Sequence, residues 1–130
     1  MGIWRRSGAV RLVFVLAATL CCGAAVSLAS GNLLGRLYND IVLDNYDHFL
    51  PCERLPASTD VYRIVEEHED LVEAIKEVHA GHIFVEIDDR TCAGRADIII
   101  SYATHRDRLA LEEILGGRTF FGVPCRLRNI

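Results

Sequence analysis

The sequence lacks the short motifs that would name a reaction. It contains no H-E-x-x-H, no paired C-x-x-C, no G-x-S-x-G and no Asp-x-Asp-x-Asp-Gly loop, which removes the usual zinc, nucleophile-elbow and calcium readings. There is no N-x-S/T acceptor, no repeat at solenoid period and no low-complexity linker. At 130 residues the chain has room for one domain. No cofactor is expected.

Positive charge is scarce beyond the N-terminus. Of the 14 basic residues, Arg5, Arg6 and Arg11 precede Leu12, so residues 30–130 carry 11 basic against 18 acidic side chains, a balance of −7. Such a domain repels phosphate backbones and anionic lipid, which excludes nucleic acid as a partner. Apolar residues make up 51% of the chain and charged residues 25%; that balance is globular and argues against both disorder and a multi-span membrane protein.

Residues 1–29 divide into the basic stub MGIWRRSGAVR and an uncharged, mainly apolar run from Leu12 to Ala29. Arginines hold the stub on the cytoplasmic side while the apolar run enters the bilayer and carries the rest of the chain across. Ser27-Leu28-Ala29 before Ser30 has the small-x-small pattern of a cleavage site, yet the run approaches the span of a bilayer. Residues 1–29 therefore read as a signal peptide or an N-terminal membrane anchor. Membrane contact is confined to residues 12–29, and the rest of the chain is periplasmic or extracellular.

Within residues 30–47, Leu34, Leu37, Tyr38, Ile41 and Val42 recur at three- and four-residue spacing, which predicts an amphipathic helix. Residues 48–130 read as a small α+β domain. Phe49 to Cys52 is a short extended piece bounded by Pro51 and Pro56. Val61, Ile64, Val65, Leu71, Val72, Ile75 and Val78 form one helical stripe, ending near Gly81. His82–Asp88 alternates with a two-residue period, and Asp97–Tyr102 reads as a second strand, the two forming a hairpin. Thr104 and Asp107 form a capping box before the helix carrying Leu109, Leu111, Ile114 and Leu115, stopped by Gly116-Gly117. Thr119 to Leu127 reads as a last strand.

This β-α-β-β-α-β order resembles the ferredoxin-like arrangement, which implies an antiparallel four-stranded sheet with two helices on one face. Pro51 fits it badly, because the first strand of that arrangement is central and proline interrupts a central ladder.

Three cysteines lie beyond the leader, in a compartment expected to be oxidising. With the first and last strands adjacent, Cys52–Cys125 is the favoured disulfide, ahead of Cys52–Cys92, and Cys92 is left as a free thiol flanked by Arg90 and Arg95. His68, His79 and His82 make a weak metal set, since His79 and His82 straddle a helix end and His68 lies on the apolar stripe. The sheet face opposite the helices is expected to show Phe84, Glu86, Asp97, Ile99, Ser101 and Phe120. The amphipathic helix or a second copy of the chain covers that face, or a ligand binds there. Two functional classes are compatible with this pattern: a non-enzymatic module binding a partner protein or small ligand outside the cytoplasm, and a small thiol-dependent redox enzyme centred on Cys92.

Overall fold

Two consecutive apolar, β-branched runs build a hairpin. In the computed structural model, which describes residues 33–130, Phe84–Asp88 (β1) pairs antiparallel with Asp97–Tyr102 (β2), in the register Phe84 to Ser101 and Asp88 to Asp97. Two helices precede it, Ser58–Glu67 (α1) and Glu69–Glu77 (α2). His105–Leu115 (α3) comes after β2, and the chain closes with Thr119–Phe120 (β3) and Val123–Asn129 (β4). Asn39–Ile130 form one compact unit. The expected leader, residues 1–29, lies outside the described residues. Among the described residues no helix is long and apolar enough to cross a membrane.

The fold is mixed α+β, but the sheet differs from the ferredoxin-like expectation. Its order is β1-β2-β4-β3, with β2 and β4 parallel and the two outer pairs antiparallel. Phe49–Cys52 is not a strand of it. Pro51 is extended at φ −70° and Cys52–Arg54 form a 3-10 turn, so β4 occupies the central place that a first strand would have held. The last segment is also not one strand. Phe121 and Gly122 both have positive φ (48° and 85°), the requirement of a two-residue hairpin turn whose twist matches its strands, and they fold β3 back on β4.

One face of the sheet makes the core. Ile98, Ile100, Tyr102, Cys125 and Leu127 are fully buried against Val61 and Ile75 of the first two helices and Leu111 of α3. Close-packed burial of this kind supplies most of the stability of a small domain. The helix expected from the Val61–Val78 stripe is interrupted at His68, whose φ of −125° ends α1 and starts α2. The His68 ring stacks on Phe121 with centroids 3.5 Å apart. The capping box forms as read: Thr104 Oγ1 accepts the Asp107 N–H at 3.2 Å, and Asp107 accepts the Thr104 N–H at 3.0 Å.

The helix expected within residues 30–47 stops early. It ends in the π-helical turn Tyr38–Val42, after which Asp44 adopts φ 53° and the chain turns away. Arg108 of α3, only 6% exposed, holds this exit by donating to the carboxylates of Asp40, Asp44 and Glu112. The Tyr102 hydroxyl donates to the Asp44 carbonyl.

Candidate functional site

Residues 45–55 form a strap around the free edge of β4 and over the sheet face opposite the core. Tyr46 bridges Leu127 through a reciprocal pair of backbone hydrogen bonds, both 2.9 Å. Two residues on, His48 Nε2 lies 2.7 Å from Asp97 Oδ2. This strap covers part of the open face.

Asp97 is the centre of a charged cluster. It is 2% exposed and accepts Arg126 Nε at 2.6 Å and Nη2 at 2.7 Å on its two oxygens. Arg126 Nη2 also donates to Asp88 at 2.5 Å. Strand pairing explains the meeting: Asp88 lies opposite Asp97, and Arg126, opposite Ile99 two residues further on, shares their face. The Thr91 hydroxyl donates to Asp88 at 2.6 Å, and the N–H groups of Arg90 and Thr91 donate to its other oxygen. Thr91 first, with Arg126, holds the Asp88 carboxyl well below the usual carboxylate range, outweighing burial.

A histidine beside a buried carboxylate is the arrangement of a general base. Here the ring is already committed. The Leu50 N–H donates to His48 Nδ1 at 2.9 Å, so the proton sits on Nε2 and points to Asp97. Neither nitrogen is left to take a proton from a substrate. A cavity of about 180 Å³ adjoins the cluster, and the cluster's contacts join the strap to β1, β2 and β4 as a clamp.

The disulfide reinforces that clamp. Cys52 is bonded to Cys92, with Cα atoms 5.5 Å apart, which corrects the Cys52–Cys125 pairing. Cys125 cannot take part because it lies on the core face, fully buried opposite Ile98. Cys52 sits instead in an exposed turn beside the β1–β2 connection. Adjacent backbone contacts, Ser58 N–H to Gly94 carbonyl and Ala96 N–H to Pro56 carbonyl, both 3.1 Å, close the same seam. Cys92 is therefore not a free thiol here.

Among the described residues the free thiol is Cys125. Burial pushes its pKa up to about 12, which suppresses the reactive thiolate. Iodoacetamide at pH 8 is expected to leave Cys125 of the folded protein unmodified and to alkylate it on unfolding, as read by intact mass. Alkylation of the folded protein at the rate of a free thiol would place Cys125 at the surface instead.

Of the residues expected on the open face, Phe84, Glu86, Asp97 and Ser101 share it, together with Ile99. Phe120 does not. The Phe121-Gly122 turn pairs Phe120 with Val123, on the core side, where it is 1% exposed. The open face has two halves: Asp97, Asp88 and Arg126 lie under the strap, whereas Phe84 is 55% exposed at the free end.

Arg126 and Asp88 are not among the residues that the sequence marks for a site, although strand parity places both with Asp97. His48 carries no such signal, because its position depends on the strap. The rings of His79 and His82 do approach, with centroids 4.3 Å apart, and His79 Nδ1 lies 3.0 Å from Asp107. His68 is elsewhere, against Phe121. Among the described residues no group of three or more His, Cys, Asp or Glu is arranged to hold a metal ion.

Compared with protein-family models, with curated proteins and with solved structures, the chain matches none of them.

Proposed function

We propose that the chain is exported and that its domain acts outside the cytoplasm as a non-enzymatic interaction module, receiving a partner protein along strand β1. The carrying observation is the exposure of Phe84, at 55%, on the half of the sheet face that the strap leaves open. A large aromatic left more than half exposed is a common kind of anchor of protein interfaces. Its neighbours Glu86, Ile99 and Ser101 supply a mixed rim.

Two further features support the address. The disulfide between Cys52 and Cys92 is of the kind that persists in oxidising compartments, and the basic stub with the apolar run Leu12–Ala29 has the form of an export signal. The leader is removed after Ala29 or stays as a tether; in both cases the domain faces outward.

Affinity capture from the exported fraction of the natural host tests this reading. Phe84→Asp alters an exposed side chain and should change stability by no more than about 0.5 kcal/mol. At least one protein retained by the wild type is expected to be lost with the variant. Identical retained sets would remove the proposed surface.

A further inference from the structure

We infer that the groove beside β1 binds an extended, basic peptide segment of another protein, which adds to the sheet as a fifth strand. The inference rests on the interaction-module reading and names its partner's chemistry.

β1 is an end strand of the sheet, paired with β2 alone among the described residues. Alternate N–H and C=O groups of an end strand point outward and can pair with an incoming chain. Edges are protected by charges, proline or a bulge; Phe84-Val85-Glu86-Ile87-Asp88 has no lysine, proline or bulge, and its charges are both acidic, which repel another acidic edge but not a basic one.

Next to this edge runs a groove of about 730 Å³ between β1 and the first two helices. Its floor is apolar, made by Val65, Val72, Val85 and Ile87, and its helix side carries Glu66, Glu69 and Glu73. The only cation on it, Lys76, is held by Glu73 at 2.8 Å. An added strand would send alternate side chains into the groove. Long cationic side chains fit this profile, laying their methylene stems on the valines and their charged heads among the glutamates. The other alternate set falls beside Phe84, where apolar residues fit.

Charge selects a basic partner over a second copy of this chain. Antiparallel pairing of two β1 strands about their midpoints would oppose Glu86 to Glu86 and bring two acidic rims together, and like charges directly opposite are destabilising. A segment alternating Lys or Arg with apolar residues meets both sides of β1 favourably.

A displayed library of peptides of about ten residues, panned against the full chain, tests this. Enriched sequences are expected to carry Lys or Arg at every second position. The double variant Glu69→Lys/Glu73→Lys should weaken the best synthetic peptide by about tenfold at low salt, with the difference shrinking as salt rises. Backbone N-methylation of one alternate set of its residues should abolish binding, and methylation of the other set should leave it. Acidic or helically spaced enriched sequences, indifference to N-methylation, or no enrichment at all would overturn the inference. If Phe84-dependent capture succeeds while the library fails, the module reading stands and this inference falls; if both fail, the module reading falls as well.

Discussion

Asp97→Ala is expected to lower the stability of the domain by about 3–5 kcal/mol, the usual cost of removing one partner from a buried ion pair. The side chain is 3% exposed and accepts from His48 and twice from Arg126. Without it Arg126, whose side chain is only 13% exposed, pairs with one carboxylate, Asp88, where it had two. The strap also loses the His48 attachment. For a domain of this size the midpoint of thermal unfolding should fall by roughly 12 °C or more. Asp97→Asn keeps the shape and one acceptor, so it should lie between the wild type and alanine, which preserves a readable result if the alanine variant does not fold. Glu73→Ala on the exposed helix face is the control, expected within about 0.5 kcal/mol of the wild type. An Asp97→Ala protein as stable as that control would show that the cluster does not fasten the strap.

Reducing the Cys52–Cys92 bond should cost nearly as much. The bonded residues are 40 apart in sequence, and the loop-entropy relation gives about 4 kcal/mol for a loop of that length, with measured values commonly smaller. Urea unfolding with and without dithiothreitol reads the difference directly. Amide exchange should show the loss beginning in residues 45–55, because the β2–β4 ladder has its own core packing. Unchanged unfolding on reduction would contradict the assignment, as would alkylation of Cys52 and Cys92 in the unreduced protein.

Local features are the ones legible in the sequence. The hairpin of β1 and β2 announces itself by two consecutive apolar, β-branched runs, and α3 by Thr104, Asp107 and the glycines after Leu115, because each signal acts within one or two turns of chain. Features set by contacts far apart in sequence are not legible. His48 and Asp97 are 49 residues apart, and nothing near either marks the other. The disulfide pairing escapes for the same reason: a strand at Phe49–Cys52 would lie beside the last one and offer Cys52 to Cys125, whereas Pro51 and the turn after it leave the sheet and approach Cys92. Phe120 shows how one turn can invert a reading. Alternation through an unbroken last strand puts it with Phe84, but the positive φ of Phe121 and Gly122 folds the chain back and moves it into the core. The open-face residues that agree with the sequence reading, Phe84, Glu86, Asp97 and Ser101, all belong to the hairpin, where parity runs without interruption.

The placement of a partner on β1 is tested most directly by site-specific photocrosslinking in the natural host. A photoreactive phenylalanine analogue at position 84 is compared with the same analogue at position 109, since Phe84 and Leu109 are equally exposed at 55% and Leu109 lies on α3. A discrete protein adduct from position 84 and none from position 109 is the expected result. Adducts from position 109 alone, equal adducts from both, or none from either would contradict the assignment of β1 as the partner-binding strand.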